Sequence, residues 1–510
     1  MTILIRHGSI VDGLGAPAFV GDVLVEGDRI RDLAPSLEGA WRSADCVIDA
    51  DGCLVTPGFI DSHAHSDAYL VIEPSAPSKL TQGITTEING QCGGSVAPRF
   101  GEARLSSDWA AILGPRLTWR SLAEYRAALE AAKPAINTVQ FIGHNTLRSS
   151  VVGYAGRAAT EDELRRMCDL LAQALEEGGW GLTTGLIYQP GRYSTSEEVV
   201  RLAKVASARG GYYATHMRSE GDRIEEAIDE VLALVRQTGI RAEISHLKTS
   251  GRRNWGKIDA VLEKLQRAVD DGLLLGSDRY PYCAAGTDLD IVLPDWAQEG
   301  AAKAEMERLA DPRQRARIAS EIDASDRDWS TVMIGGTWHP DTKAYSGRRI
   351  DVLAGSRPGE FICDLLFKDG CKTGAFFFEM SEENLMKIYA RPWIVPGSDA
   401  SLRAPWGPLG ADHPHPRAYA TMPEFYRLTR SIERMTSVPA RRFGIRDRGV
   451  LKVGAFADIA VWNEAQFKAQ ATYADPHRFS TGMKCVMVNG VIAYRDGKFT
   501  EQRGGRFLER

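Results

Sequence analysis

The sequence predicts an α/β fold: a parallel (β/α)8 barrel of the TIM type, a small β-sandwich domain built from both chain ends, and an insertion near the barrel mouth. In the middle of the chain, apolar strands and amphipathic helices alternate about eight times. Both ends consist of short strands and turns, and 510 residues are too many for one compact core. A doubly wound parallel sheet is the competing arrangement for the middle segment.

The two ends of the chain share one texture, in which short apolar runs are separated by glycine-containing turns. The predicted strands are Ile3–Ser9, Asp22–Val25, Cys46–Asp49, Gly449–Leu451, Ile459–Trp462 and Met483–Tyr494. The pair Asn489-Gly490 indicates a hairpin inside the last of them. We therefore assign residues 1–56 and 446–510 to one β-sandwich domain, on which the chain both starts and finishes.

Residues 57–445 are assigned to the barrel. Its strands are predicted to end at His65, Ile88, Ile142, Leu182, Thr215, Ser245, Gly276 and Gly397. Its helices are predicted at Thr160–Glu177, Ser196–Ala208, Arg223–Thr238 and Ile258–Asp271, and Thr160 with Glu163 indicates a capping box. The charged, turn-rich segment from about 288 to 350 interrupts this alternation. We expect it to be an insertion beside the barrel mouth that acts as a lid.

The composition is that of an ordinary globular α/β protein, with 44% hydrophobic and 25% charged residues. A net charge of −5 and a pI near 6.1 argue against nucleic acid or an anionic membrane surface as partner. No run of eighteen apolar residues and no signal-peptide pattern is found, so we expect a cytoplasmic protein without a membrane span. The eight scattered cysteines are then expected to be reduced thiols. The oligomeric state is left open.

Two histidines close the first predicted barrel strand, in Pro57-Gly-Phe-Ile-Asp61-Ser-His63-Ala-His65. Because side chains alternate along a strand, His63 and His65 point to the same side. Neutral imidazoles that converge at the mouth of a barrel are good zinc ligands. A bare pair is more often a surface feature, but this pair follows the apolar run Leu54–Ile60, which is expected to be buried on both faces.

Four more residues follow later strands, at the face where barrel enzymes carry their sites. His216 ends Tyr212-Tyr-Ala-Thr-His216, and His246 ends Ala242-Glu-Ile-Ser-His246. Cys92 lies in a glycine-rich turn, where a thiolate can ligate or bridge zinc. Asp399 closes the last predicted strand, where its carboxylate can take a proton from a metal-activated water and pass it to a leaving nitrogen. Each residue alone is more often a packed polar group or a helix cap, but together they predict a zinc site.

These motifs resemble those of the amidohydrolase superfamily, which has an H-x-H after the first barrel strand, histidines after the fifth and sixth, and an aspartate after the eighth. More narrowly, the chain resembles the D-aminoacylase (N-acyl-D-amino-acid deacylase) family over nearly its whole length. The matching stretches are Gln82-Gly-Ile-Thr-Thr86, Asn89-Gly-Gln-Cys-Gly93, Gly143-His-Asn-Thr-Leu-Arg148, Gly185-Leu-Ile-Tyr188, His246-Leu-Lys248, Tyr280-Pro-Tyr282 and His413-Pro-His-Pro-Arg417. The resemblance is weakest in the insertion.

The resemblance implies a zinc-dependent hydrolase that converts an N-acyl-D-amino acid into a carboxylate and a free D-amino acid. It implies that Cys92, His216 and His246 hold the tighter zinc, and that His63, His65 and Asp399 frame a weaker second position whose occupancy is left open. It further implies that Lys248, Arg417, Tyr280 and Tyr188 bind the substrate, with Tyr282 competing with Tyr280 for that role. His144 and Arg148 are expected to orient ligands or loops.

The loop after Tyr282 carries two acidic residues, Asp288 and Asp290, which would make a side-chain pocket that it lines negatively charged. We hypothesise that these carboxylates favour neutral or basic D-amino acid derivatives over acidic ones. Two other functions compete with the deacylase: a cyclic amidase of the hydantoinase or dihydroorotase type, and a metal-free scaffold. Cys92 and the Lys248–Arg417 pair argue against the cyclic amidase, and the complete ligand set argues against the scaffold.

Overall fold

The computed structural model describes residues 1–37, 39–103 and 107–510. Its strands are β1 (Thr2–Ile10), β2 (Phe19–Glu26), β3 (Arg29–Ala34), β4 (Cys46–Asp49), β5 (Leu54–Pro57), β6 (Phe59–Asp61), β7 (Ile84–Asn89), β8 (Asn137–Gln140), β9 (Ile142–Gly143), β10 (Gly181–Gly185), β11 (Tyr212–His216), β12 (Arg241–Ile244), β13 (Leu275–Arg279), β14 (Ala285–Asp288), β15 (Val332–Ile334), β16 (Gly374–Phe377), β17 (Ile394–Pro396), β18 (Ile459–Trp462), β19 (Met483–Val488), β20 (Val491–Arg495) and β21 (Lys498–Phe499).

Helices connect most of these strands. They are α1 (Tyr69–Ile72), α2 (Pro77–Leu80), α3 (Ser107–Leu113), α4 (Leu122–Ala132), α5 (His144–Val151), α6 (Glu161–Glu176), α7 (Ser196–Ala208), α8 (Ile224–Thr238), α9 (Ile258–Asp270), α10 (Asp295–Gln298), α11 (Ala301–Ala310), α12 (Pro312–Asp323), α13 (Ile350–Ala354), α14 (Pro358–Asp369), α15 (Glu382–Tyr389), α16 (Arg417–Thr429) and α17 (Ser437–Phe443). No helix of the described residues is long and apolar enough to cross a membrane.

The chain ends form one nine-stranded sheet, in the order β21-β20-β19-β18-β5-β1-β2-β3, with β4 beside β1. Antiparallel pairing of β18 with β5 joins the two ends of the chain. The sheet encloses an apolar cluster that draws side chains from both ends, among them Ile3, Val23, Ile459 and Met487. The predicted domain made from both chain ends is therefore confirmed.

One detail of this domain differs from the prediction, and another agrees with it. The predicted strand Gly449–Leu451 is wrong, because this segment is a turn. A Cβ at Gly449 would lie 2.7 Å from the Thr436 carbonyl oxygen, so the chain packs here against the residues that begin α17 instead of pairing as a strand. The predicted hairpin is present: β19 and β20 pair antiparallel and are connected by Asn489 and Gly490.

The middle of the chain forms the predicted barrel. Strands β6, β7 and β8 pair in parallel, as do β9 to β13 and β17. Phe141 alone separates β8 from β9, and a parallel bridge between Ala64 and Ala400 joins the continuations of β6 and β17. Strands β7, β8, β10 and β11 are buried along their whole length, as expected for a parallel sheet covered by helices.

The predicted helices lie on the outside of this barrel. Helix α6 begins at the N-cap Thr160, whose side chain accepts a hydrogen bond from the backbone N–H of Glu163 in the predicted capping box. Helix α8 buries Ile224, Ile228, Val231 and Val235, which recur at the spacing of one helical face. These apolar faces cover the strands, so the polar carboxyl ends of the strands remain for a site.

The insertion is a small unit with its own core. Antiparallel strands β14, β16 and β15 form its sheet, and α10 to α14 lie between β14 and β16 in sequence. The cluster around Leu289, Ile318, Ile334 and Phe377 fills it. The insertion was predicted to end at about 350, but its sheet extends to Phe377. The reason is that β16, the central strand of this sheet, follows β14 and β15 in sequence.

Candidate functional site

A cavity of about 2200 Å³ opens at the carboxyl ends of the barrel strands. Nine of the ten predicted site residues line it: His65, Cys92, Tyr188, His216, His246, Lys248, Tyr280, Asp399 and Arg417. The tenth, His63, is fully buried behind them. Residues of the insertion, including Asp288 and Asp290, line the same cavity.

Six possible metal ligands converge at the base of this cavity. One group of ligand atoms lying within 4.8 Å of one another belongs to His63, His65, Cys92 and Asp399, and a second belongs to Cys92, His216 and His246. Cys92 belongs to both groups, since its Sγ lies 3.3 Å from His63 Nε2 and 3.3 Å from His246 Nε2. The thiol is therefore placed to bridge two metal positions.

The backbone at three of these residues is in the left-handed region. The φ angles are 52° at Cys92, 38° at His246 and 49° at Asp399. Such angles are uncommon for residues with a side chain and concentrate at functional sites. Each residue lies just beyond the end of a barrel strand, so the chain turns sharply there and presents the side chain to the centre of the barrel.

The Cys92 loop is held by close backbone contacts. The carbonyl oxygen of Gly93 accepts hydrogen bonds from the backbone N–H groups of Asn145 and Thr146, the first of them at 2.9 Å. A Cβ at Gly93 would lie 2.3 Å from Asn145 Oδ1 and 2.5 Å from the Gly185 nitrogen, which explains the glycine next to the thiol. Asn145 also donates to the Gly185 carbonyl oxygen, so it positions two loops of the site together.

Two features of the cluster suit a bound metal ion. Burial raises the pKa of the Cys92 thiol, but the nearby charges of His63 and His246 outweigh it and hold the pKa well below its ordinary value. The thiolate, which is the ligand form, is thus favoured. Both ring nitrogens of buried His216 lack a hydrogen-bond partner among the described residues. A metal ion at the cluster would give that imidazole the partner it lacks.

Asp399 lies between the histidine pair and Arg417. Its Oδ1 is 3.0 Å from His65 Nε2 and 3.4 Å from His63 Nε2, while its Oδ2 is 2.9 Å from Arg417 Nη2. Burial raises the pKa of this carboxyl, but the Arg417 charge and the histidines hold it well below its ordinary value. The side chain is therefore held as a carboxylate.

Two cations lie beside the cluster, and they differ in how far their hydrogen-bond donors are already paired. Lys248 Nζ is 2.5 Å from Glu220 Oε1 and 2.8 Å from His246 Nδ1. Arg417 is 4% exposed, and its Nε and Nη1 lack a hydrogen-bond partner among the described residues. The guanidinium therefore has two donors left for a ligand carboxylate.

Two of the predicted tyrosines, Tyr280 and Tyr188, lie beside the cluster, and Tyr282 does not. Tyr280 lines the cavity with its ring 4.0 Å from the Arg279 guanidinium carbon and 4.5 Å from that of Arg417. Burial raises the Tyr280 pKa, but Lys248 and these arginines lower it below its ordinary value. Tyr188 packs its ring 4.9 Å from that of His216. Tyr282 instead packs on His415, so of the two competing tyrosines Tyr280 is the one that faces the cluster.

His144 and Arg148 are buried on α5 and share one partner, Glu198 on α7. His144 Nε2 lies 2.8 Å from Glu198 Oε1, and Arg148 Nη1 lies 2.5 Å from Oε2. These bonds join two barrel helices. Helix α5 also carries Asn145, which contacts the Cys92 loop, so an orienting role of His144 and Arg148 through this helix stays a prediction.

Two carboxylates that the sequence analysis missed lie behind two histidines of the cluster. Asp278 Oδ2 lies 3.1 Å from His63 Nδ1, and Glu220 Oε1 lies 2.9 Å from His246 Nδ1. A carboxylate on the second ring nitrogen fixes the tautomer and strengthens the imidazole as a ligand. Asp278 was missed because its strand was predicted to end at Gly276, whereas β13 continues to Arg279. Glu220 lies in a charged loop that reads as solvent-exposed sequence.

A buried lysine was also missed. Lys79 Nζ lies 3.1 Å from Asp61 Oδ2 and 2.7 Å from Glu87 Oε1, and all three side chains are inaccessible to solvent. Asp61 in turn accepts from the Ser398 backbone N–H at 2.8 Å and from its hydroxyl at 2.6 Å. This network joins the strand end that carries His63 to the one that carries Asp399. A lysine in a short helix, such as α2, gives no sequence signal of burial.

Comparison with known proteins matches this arrangement to one family. The sequence profile of the amidohydrolase family matches residues 46–289 and 379–494. An N-acyl-D-glutamate deacylase from Alcaligenes xylosoxydans xylosoxydans is 35% identical over all of this chain and 97% of its own length. The insertion, which the profile does not match, is the part predicted to resemble the family least.

Two solved structures share the fold over the full length of the chain. A D-aminoacylase with a binuclear metal centre, described by one-metal activation and second-metal attenuation, has a TM-score of 0.83 at 30% identity, over 100% of this chain and 99% of that one. An N-acyl-D-glutamate deacylase from Bordetella bronchiseptica, complexed with zinc and a phosphonate that mimics the tetrahedral intermediate, has a TM-score of 0.83 at 32% identity and the same coverage. The chain therefore belongs to the amidohydrolase family, in its D-aminoacylase (N-acyl-D-amino-acid deacylase) branch.

Proposed function

We propose that this chain is a zinc-dependent enzyme that hydrolyses the amide bond of N-acyl-D-amino acids to a carboxylate and a free D-amino acid. The observation that carries the proposal is the convergence of six metal ligands, with Cys92 common to both groups, beside Lys248 and Arg417. Relatives with this chemistry are 30 to 35% identical over the whole chain. The D configuration is carried over from those relatives.

Zinc is the metal that this donor set favours, because thiolate and imidazole ligands suit it better than they suit magnesium or calcium. We assign the tighter position to Cys92, His216 and His246, and a second, weaker position to His63, His65 and Asp399. Zinc bound there supplies Lewis-acid chemistry, polarising the acyl carbonyl and acidifying the attacking water.

The residues of the chain supply positioning and proton transfer. Arg417, through its unpaired Nε and Nη1, and Lys248 hold the substrate carboxylate and so orient the amide over the cluster. Asp399 accepts a proton from the attacking water and donates it to the nitrogen as the C–N bond breaks. Tyr280 and Tyr188, which line the same cavity, add hydroxyl donors to the bound substrate.

The side chain of the preferred substrate is proposed to be neutral or basic. Asp288 lines the cavity on the insertion side, where its carboxylate would repel an acidic side chain. Asp290 and Glu305 line the same side, but burial raises the pKa of each carboxyl, so they add to that repulsion only when they are ionised. The test compares kcat/KM for N-acetyl-D-lysine and N-acetyl-D-leucine with that for N-acetyl-D-glutamate. We expect the first two to exceed the last by about tenfold or more, a difference of about 1.4 kcal/mol. Faster turnover of the glutamate derivative would overturn this preference.

The reaction itself is tested by incubating the zinc-loaded protein with matched N-acetyl-D- and N-acetyl-L-amino acids and measuring free amine. Release from the D series alone supports the proposal. Turnover of hydantoins, with no release from either series, would replace it with a cyclic amidase. The protein is further proposed to act in the cytoplasm on small-molecule substrates.

A further inference from the structure

Glu220 occupies a special place between the metal cluster and the cavity. It follows β11 by four residues, lines the cavity and is 8% exposed. Its Oε1 lies 2.9 Å from His246 Nδ1 and 2.5 Å from Lys248 Nζ, and its Oε2 lies 3.4 Å from His216 Nε2. One buried carboxylate thus contacts two histidines of the tighter metal position and the lysine proposed to hold the substrate carboxylate.

The backbone holds Glu220 in this place. Its carbonyl oxygen accepts a hydrogen bond of 2.7 Å from the Ser250 N–H, in the loop that begins with Lys248. His246 directs Nε2 at Cys92, at 3.3 Å, so that its Nδ1 is left for Glu220. The lysine and the histidine therefore share one oxygen of Glu220, and Lys248 Nζ also lies 2.8 Å from His246 Nδ1.

This sharing means that the two contacts compete. When Lys248 turns to a substrate carboxylate, Glu220 Oε1 is left to the Nδ1–H of His246. A carboxylate that accepts more strongly from Nδ1–H makes the other nitrogen a better metal ligand. Binding at one place then strengthens binding at the other, and the coupling is reciprocal by thermodynamic necessity.

We propose that Glu220 is a positioning residue that couples metal binding by Cys92, His216 and His246 to recognition of the substrate carboxylate by Lys248. The carboxylate half of this inference rests on the proposed function, whereas the metal half rests on the contacts alone. Asp278 provides the matched control. It bonds His63 Nδ1 at 3.1 Å and is 1% exposed, and its bonding partners are His63 and the backbone N–H of His246, with Lys248 not among them.

The experiment measures zinc affinity by chelator competition, with and without a saturating free D-amino acid as the carboxylate probe, in four proteins: wild type, Glu220→Gln, Asp278→Asn and Lys248→Met. We expect the probe to tighten zinc binding in the wild type by about fivefold or more. In Glu220→Gln, zinc alone binds about 10- to 100-fold more weakly, and the tightening falls by at least about threefold. In Asp278→Asn, zinc binds more weakly but the tightening keeps its wild-type size.

Lys248→Met gives the complementary result: zinc alone binds about fivefold or more tighter than in the wild type, because Glu220 Oε1 is already left to His246, and the probe adds no further tightening. If Glu220→Gln does not fold, the zinc measurement on Lys248→Met tests the coupling by itself. The proposal is overturned if Glu220→Gln keeps the wild-type tightening or zinc affinity, if Asp278→Asn loses the tightening equally, or if Lys248→Met retains it. A parallel hydrolysis assay separates the two proposals, because a wild type that shows the tightening without releasing amine contradicts the function and not the coupling.

Discussion

Two histidines of the cluster are each backed by a carboxylate, and the two pairs differ in what else the carboxylate contacts. Asp278 lies behind His63 at 3.1 Å and is fully buried within the barrel. Glu220 lies behind His246 at 2.9 Å but also contacts Lys248 and lines the cavity. On the proposed coupling, the same chemical arrangement serves metal geometry alone in the inner half of the site, and both metal and substrate in the half that faces the cavity.

This difference follows from where the strands end. The inner half, with His63, Asp61 and Lys79, belongs to β6 and α2 and is closed by Ser398. The outer half is built on the loops after β11 and β12, which border the insertion. Changes in the inner half are expected to act on stability and metal binding, whereas changes in the outer half are expected to act on substrate binding.

The largest effect is expected at Asp399, where the two halves meet. Asp399→Asn keeps the shape but removes the proton acceptor, so kcat should fall by about 1000-fold or more while zinc stays bound. Steady-state kinetics with zinc analysis measures both. Asp412→Asn, at another acid of the cavity wall, is the control and should stay within about threefold of wild type. Near-normal turnover by Asp399→Asn would contradict the assignment of the proton acceptor.

The next effect sharpens the inner half of the comparison. Lys79→Met leaves the carboxylates of Asp61 and Glu87 buried without their cation, which should lower the free energy of unfolding by about 3 to 5 kcal/mol. Denaturant unfolding of the zinc-free protein measures this. Lys264→Met removes a more exposed partner of Asp229 and should cost less than about 1 kcal/mol. Equal losses of unfolding free energy in the two variants would show that the buried network stabilises the fold no more than an exposed ion pair does.

The outer half predicts a smaller effect, confined to substrate binding. Lys248→Met removes one charged contact to the substrate carboxylate, which should raise KM by about 10- to 100-fold and leave the zinc content unchanged. Arg253→Met is the matched cation control, because Arg253 lines the cavity but pairs with Asp222 and Asp326. A loss of zinc in Lys248→Met, or an equal rise in KM for Arg253→Met, would break the comparison.

The smallest effect concerns the acids of the insertion. Burial and the neighbouring Glu305 raise the pKa of Asp290 from 3.8 to about 8. Burial raises the pKa of Glu305 from 4.5 to about 7, although hydrogen bonds from Cys371 and Asp290 lower it in part. Both folded values exceed the unfolded ones, so the folded state binds more protons, and stability is lost as pH rises from about 4 through 8. Asp290→Asn should reduce that loss by about 1 kcal/mol, seen in melting temperature against pH. An unchanged pH profile would contradict the raised pKa values.

The fold and the ligand types could be predicted from sequence because both depend on local patterns. The barrel follows from the alternation of buried strands and amphipathic helices, and α7 has the bounds predicted for it, Ser196–Ala208. The candidate ligands could be singled out because each follows a strand, where side chains meet at one end of the barrel. The paired histidines just after β6 and the positions of His216 and His246 at or just after strand ends are of this kind.

The rest of the site depends on contacts between residues far apart in the chain. Asp278 approaches His63 across 215 residues, and Lys79 approaches Ser398 across 319. Lys248 looks like a free cation in the sequence, and only the fold brings Glu220 against it. The left-handed backbone at Cys92 and Asp399 is likewise imposed by the packing of the loops, since neither residue type requires it.

The central claim is that the cluster holds zinc and uses it to release amines from N-acyl-D-amino acids. The most direct measurement determines zinc per chain in the purified protein and assays the same sample on matched N-acetyl-D- and N-acetyl-L-amino acids. We predict about one to two zinc ions per chain and release of free amine from the D series alone. Folded protein that binds no zinc, or a zinc-loaded protein that releases amine from the L series instead, would contradict the account.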